Sequence, residues 1–257
     1  FWQIECERKL FDILSEPNDE GIYMHEFPDD IRENNDARIV LKLIEMMKEK
    51  YNIDEERIYM QGMSLGNSMT LMMARYFGNH FAAMAGSAGP STIGLLFDEN
   101  DNPINVAGPV TVWQARMEFD QSPPGSKDTV EDVVAKNREY WLRINECKEL
   151  PQIKIDGENN FAFYSGKKAD YVFRDVKNRD HGQTFDEAEL VWDYLFSGSK
   201  RKTDGTIEYI EPKLKREGDK VSFAIADDCE YAWVNNRRIK MPAKSMMWQK
   251  LKYHGLR

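Results

Sequence analysis

Three features of the sequence predict an α/β fold with a mostly parallel, doubly wound sheet. Short β-type runs occupy residues 57–61, 109–113 and 169–176. Stretches with helical character, residues 35–51, 129–145 and 185–196, separate and follow them. Strands alternating with helices of this length form βαβ units, whose strands lie parallel. The third feature is Gly62-Met63-Ser64-Leu65-Gly66, a G-x-S-x-G pentapeptide between a strand and a helix, which is the setting such a turn requires.

Taken in order, residues 1–10 mix Phe1, Trp2, Ile4, Cys6 and Leu10 with charge and are compatible with a helix. Residues 11–15 read as a short strand ending at Pro17, and residues 16–33 are rich in turn formers. In 35–51, Ile39, Leu43, Met46 and Met47 recur at three- and four-residue spacing with charges between them, an amphipathic helix. Residues 67–76 read as a buried helix after the pentapeptide, and 81–86 as a small-residue buried run. Between Gly89 and Gly108 there is no strong period, so an insertion loop or hairpin is expected around Asp98-Glu99-Asn100-Asp101-Asn102-Pro103. From residue 198 the character changes to a polar linker followed by β-like alternation over 221–241, with Asn235-Asn236 able to turn a hairpin. Residues 1–197 are therefore expected to form one domain and 198–257 a linker with a small β-rich appendage that docks on it.

The chain of 257 residues is 41% hydrophobic and 31% charged, the composition of a folded globular protein. A net charge of −9, without a Lys/Arg stripe, speaks against a nucleic-acid partner, whose phosphates demand a basic face. No apolar run approaches the length that crosses a bilayer, so no membrane partner is expected. Cys6, Cys147 and Cys229 are odd in number and far apart, which gives neither a disulfide framework nor a metal spacing. No metal and no cofactor are expected.

A serine hydroxyl is a poor nucleophile until a base takes its proton and a third group fixes that base in the right tautomer. Of the four histidines, His25 and His80 precede or lie close to the elbow and His254 sits near the end of the tail. His181 alone follows a strand in a loop leading to a helix, at the carboxyl edge where α/β sites are built. Between Ser64 and His181, Asp120 comes shortly after the 109–113 strand and is the expected acid; Glu118 and Asp128 are the rivals. The Leu65 backbone N–H, next after the nucleophile, is the expected oxyanion donor. Trp113, Trp141, Trp192 and Trp233 read as core aromatics before they read as stacking platforms.

These stretches also carry a family resemblance. The run from Tyr51-Asn52-Ile53-Asp54 to Gly62-Met63-Ser64-Leu65-Gly66-Asn67-Ser68-Met69 resembles the nucleophile region of the polyhydroxybutyrate depolymerase and feruloyl/acetylxylan esterase group of α/β-hydrolases. Tyr140-Trp141-Leu142-Arg143-Ile144-Asn145-Glu146-Cys147 is similar to that group's tryptophan-then-Asn-x-Cys stretch, and His181 with Glu189 to Leu195 to its histidine and closing helix. The resemblance covers roughly residues 1–197. It implies an α/β-hydrolase fold with Ser64 as nucleophile, Asp120 as acid and His181 as base.

The group's early His-Gly loop, which supplies a second oxyanion donor, has no counterpart before Phe1, so the sheet is expected to lack its first strands. The acid segment Gln114 to Asp120 also departs from the group, which has a His-Gly pair before its Asp. The resemblance implies a serine esterase acting through an acyl-enzyme on a small-molecule or polysaccharide ester, feruloyl, acetyl or polyester, and a secreted location is compatible with it. A peptidase of the prolyl-oligopeptidase kind and a non-catalytic binding protein on the same fold are the competing readings.

Overall fold

Six strands make one mixed sheet in the order β1-β2-β3-β6-β5-β4. They are β1 Tyr59–Met63, β2 Ala83–Ser87, β3 Thr111–Phe119, β4 Gln152–Asp156, β5 Asn159–Tyr164 and β6 Tyr171–Asp180. The structure, a computed structural model, describes residues 31–122 and 127–209, together with the backbone of short strands at Lys215–Glu217, Lys220–Ser222, Tyr231–Val234, Arg237–Lys240 and Leu251–Lys252. The expected helix at 1–10 and strand at 11–15 lie outside the described residues. In the tail, Tyr231–Val234 and Arg237–Lys240 pair antiparallel; the expected Asn235-Asn236 turn lies outside the described residues.

β1, β2, β3 and β6 are parallel neighbours. A helix connects β1 to β2 and another follows β3 ahead of the β4–β5 hairpin, whereas β2 reaches β3 through a long loop that contains a 3-10 turn at Ile93–Leu95. The helices are α1 Asn35–Lys50, α2 Leu65–Phe77, α3 Val130–Ile144 and α4 Glu187–Val191, the last continuing as a π-helical turn over Trp192–Phe196. Alternation along each strand sends side chains to two cores. Met84, Val112, Tyr171 and Phe173 pack with Leu71, Met73, Tyr140 and Trp141 on the face of α2 and α3. Ala83, Ala85, Trp113, Ala115 and Val172 pack with Val191, Leu195 and Phe196 on the opposite face. Small alanines on β2 leave room for Trp113, which is fully buried.

The sheet is an α/β sheet, but parallel only in four of its six strands. β4 and β5 form an antiparallel hairpin that the sequence reading passed over, with Asp156 paired to Asn159 and Gly157 in the left-handed region at φ 59°. The Asp156-Gly157 turn signal was present. Its strand was disguised because Ile153 and Ile155 face solvent while Lys154 lies inward over the Phe161 and Tyr194 rings.

β3 and β6 run several residues past their expected ends. Gln114 and Arg174 interrupt the apolar runs, yet both are buried with partners: the Tyr171 hydroxyl donates to Gln114 Oε1 at 2.9 Å. The expected single helix over 185–196 is instead a short α-helix followed by the π turn.

The first residues of the tail form a hairpin, β7 Ser199–Arg201 with β8 Ile207–Tyr209, packed on the amino-terminal edge of the sheet. Arg201 donates to the carbonyls of Phe81 at 2.7 Å and Pro109 at 2.9 Å, the residues that lead into β2 and β3. Tyr59 donates to the Ser199 carbonyl at 2.8 Å. This edge lies opposite the one that carries the site.

Asn145 closes α3 against the sheet: fully buried, it accepts from the Val110 N–H and donates to the carbonyls of Val110 and Asp170. Asn145→Ala would leave these backbone groups without partners, each worth about 1–3 kcal/mol when buried. We expect a loss of about 3 kcal/mol, read as a melting temperature lower by about 6–12 °C.

Candidate active site

β1 ends at Met63 and α2 begins at Leu65, so a single residue must reverse the chain. Ser64 does it with φ 57° and ψ −118°, a left-handed conformation that costs a non-glycine residue about 1–3 kcal/mol. Its N–H donates to Ser87 O at 3.0 Å and its carbonyl accepts from Ser68 N at 3.0 Å, which ties the turn to β2 and to the first turn of α2.

The turn needs neighbours without side chains. A Cβ on Gly62 would overlap the Gly66 carbonyl, and one on Gly86 would overlap the buried Asn67 amide. A Cβ on Gly89, itself at φ 63°, would sit 2.7 Å from Ser64 O. Gly66, by contrast, would meet nothing among the described residues. The G-x-S-x-G pattern by itself suggests the same spacing role for both flanking glycines, letting strand and helix approach. Sterics assign it to Gly62, and it extends to Gly86 and Gly89, where the sequence carried no motif to point to them.

The turn after β2 completes this support. Ala88 and Gly89 both have positive φ, Asn67 donates to Ala88 O, and Ser68 Oγ lies 3.4 Å from Gly89 O. Ser91 is held by Asn137, fully buried in α3, whose amide accepts from Ser91 N at 3.1 Å and donates to Ser91 O at 2.7 Å.

β3 delivers Asp120 and β6 delivers His181 to the same carboxyl edge. His181 Nε2 lies 2.8 Å from Ser64 Oγ, and Nδ1 lies 2.6 Å from Asp120 Oδ1. Asp120, its side chain 1% exposed, also accepts from the Gln121 N–H at 3.0 Å. A carboxylate only accepts, so Nδ1 carries the proton and donates to Asp120. In the neutral ring Nε2 then presents its lone pair to the Ser64 hydroxyl, which donates to it.

The other candidates lie elsewhere. Glu118 accepts from the Asn178 N–H at 2.9 Å and from Lys177 at 3.3 Å, and the Asn178 contact, offset in part by burial, holds its carboxyl below the usual range. Asn178 sits at φ 55°, so Glu118 pins a strained residue three places before His181. Asp128 accepts from Ser122 Oγ through its backbone carbonyl. His80 stands at the far end of α2, about 20 Å from its start for a helix of 13 residues. His25 and His254 lie outside the described residues.

Leu65 is the first residue of α2, so its N–H has no acceptor within the helix. Met63, Leu65, Phe119 and Phe185, each close in sequence to one of the three polar residues, are exposed apolar side chains on this edge. His181 borders a cleft of about 630 Å³ between the 156–159 turn and the 180–186 loop. Of the tryptophans considered as stacking platforms, Trp113 and Trp141 are core, while Trp192 is half exposed against Tyr59; the side chain of Trp233 lies outside the described residues. Among the described residues no helix is long and apolar enough to cross a membrane, and no group of three His, Cys, Asp or Glu could hold a metal ion.

No protein-family model matches the chain. A stretch of 75 residues is 35% identical to the bifunctional acetylxylan esterase/xylanase XynS20E of Neocallimastix patriciarum, covering 29% of this chain and 11% of that protein. Among solved structures, the acetyl xylan esterase from Aspergillus awamori overlays on 61% of this chain and 66% of its own, with a TM-score of 0.45 and 14% identity.

The two pentapeptide glycines can be separated experimentally. Gly62→Ala is expected to destabilise the protein by about 1–3 kcal/mol or more through overpacking. Gly66→Ala should leave thermal stability within about 0.5 kcal/mol of the parent or raise it, being a helix position open to a methyl group.

Proposed function

We propose that the protein is a serine ester hydrolase on an α/β-hydrolase fold, with Ser64 as nucleophile, His181 as general base and Asp120 as the group that orients it. The observation that carries this reading is the hydrogen-bonded series Ser64–His181–Asp120, whose serine stands on a left-handed strand-to-helix turn. Ser64 Oγ attacks the ester carbonyl as its proton passes to His181 Nε2, and the resulting imidazolium keeps its Nδ1–H on Asp120. The oxyanion that forms is stabilised by the Leu65 N–H. Collapse of the intermediate expels the alcohol, which takes the proton from Nε2. Water then repeats the sequence on the acyl-enzyme and frees the acid and Ser64.

The substrate proposed is an acyl group on a carbohydrate, acetyl first, with feruloyl or polyester carbonyls as related possibilities. The likeness of 75 residues to an acetylxylan esterase/xylanase supports that choice, and the exposed Met63, Leu65, Phe119 and Phe185 offer an apolar approach to the hydroxyl.

A fluorophosphonate should add once to the protein, on Ser64, and Ser64→Ala should abolish the adduct. Acetate release from acetylated xylan should fall by at least about 10⁴-fold in Ser64→Ala and in His181→Ala. Absence of the adduct in the parent protein, or hydrolysis that survives Ser64→Ala, contradicts the proposal. Cleavage of aminoacyl-proline substrates in preference to esters would move the assignment to a peptidase.

A further inference from the structure

Beneath the His181 loop lies a polar network that none of the steps above uses. Arg174, on β6, has a side chain only 1% exposed, and it forms an ion pair with Glu187, 0% exposed, at the start of α4. Burial of an ion pair is costly, and a hydrophobic pair of the same volume often serves stability as well or better. The guanidinium is used to its full donor capacity. Nε and Nη2 donate to Asn159 Oδ1 on β5 at 2.9 and 2.6 Å, Nη1 donates to Thr184 Oγ1 at 2.9 Å as well as to Glu187, and Nη2 reaches Asp186 Oδ1 at 3.4 Å. Glu187 accepts in turn from Trp113 Nε1 at 2.8 Å, on β3, the strand that ends beside Asp120. The Glu187 N–H also donates to the Thr184 carbonyl at 3.1 Å.

The placement of these contacts along the chain gives them their meaning. His181 is followed three residues later by Thr184, fastened to Arg174, and preceded three residues earlier by Asn178, fastened to Glu118. Its own side chain is 46% exposed, so packing alone does little to fix the ring. The two anchors span it from both sides, and Glu187 links the strand that carries His181 to the strand that carries Asp120.

We propose that Arg174 and Glu187 are positioning residues: they hold the loop that bears His181 in register with Asp120 and Ser64 and so keep the ring in its Nδ1–H tautomer. Their hydrogen bonds go to Asn159, Thr184, Asp186, Trp113 and each other rather than to Ser64, His181 or Asp120, so they act through the His181 loop. The inference rests on the triad proposed above for its kinetic arm, while its spectroscopic arm does not. Arginine is required rather than a simple cation because its planar fork reaches Asn159, Thr184 and Glu187 together, which an ammonium cannot.

Two variants of the full chain test this. Arg174→Lys keeps the charge facing Glu187 but loses the fork, and Arg174→Met/Glu187→Leu replaces the pair by apolar side chains; Arg174→Lys serves alone if the double variant does not fold. Histidine-¹⁵N spectra in alkaline buffer, with His181 assigned through His181→Ala, read which ring nitrogen carries the proton. We expect the single Nδ1–H tautomer in the parent and a mixture of tautomers in both variants. On ester substrates kcat should drop about 10–100-fold with KM within about twofold, the cost of misplacing a catalytic group by about an ångström. Folded variants that keep the parent's single tautomer overturn the proposal whatever their rates. Should the parent neither hydrolyse esters nor take a phosphonate, the proposed function fails, and the tautomer spectra still decide for or against the positioning role.

Discussion

The left-handed backbone of Ser64 is the constraint on which the carboxyl edge of the sheet depends. An L-residue held at φ 57° must be kept there by surroundings worth more than the strain. Here they are backbone bonds to Ser87 and Ser68, the absence of side chains at Gly62, Gly86 and Gly89, and the buried amide of Asn67 that fills the space Gly86 leaves. The strain is local, but its support reaches as far as Asn137, on α3, which anchors Ser91 and through it the turn that Gly89 presents to Ser64.

A second theme is the use of buried polar groups where the topology changes. Asn145 joins the end of α3 to the entries of β3 and β6, Arg201 covers the entries of β2 and β3, and Arg174 with Glu187 joins β3, β5 and β6 beneath the His181 loop. Each meets its hydrogen-bond demand with named partners, as buried polar groups must. Apolar packing on the two sheet faces is non-directional and tolerates small slips. These directional contacts do not, and they sit where strand ends have to be brought to a common height.

The parts legible in the sequence are those with strong local periodicity or chemistry. α1, α2 and α3 were read within two residues of their ends, because apolar spacing and the G-x-S-x-G turn mark them. His181 and Asp120 were singled out from chain order and from their place after strands, and the fold places His181 within hydrogen-bond distance of both Ser64 and Asp120. What escaped was whatever depends on partners distant in sequence. The β4–β5 hairpin shows solvent-facing isoleucines and an inward lysine, a reversal of the usual pattern that only Phe161 and Tyr194 explain. Arg174 and Glu187 look like surface charges until the fold buries them against each other. Gly89 looked like a loop residue, and its role appears only when Ser64 lies 2.7 Å from where its side chain would be.

In the proposed reaction Ser64 is acylated during turnover. Rapid-mixing kinetics with p-nitrophenyl acetate test it most directly, because an acyl-enzyme that forms faster than it hydrolyses releases a burst of the first product. A burst of about one p-nitrophenol per protein molecule is expected, with an acetyl group recovered on Ser64 after acid quench. Turnover that starts linearly, with no acetyl group on Ser64 at any quench time and none accumulating at low pH, would contradict it.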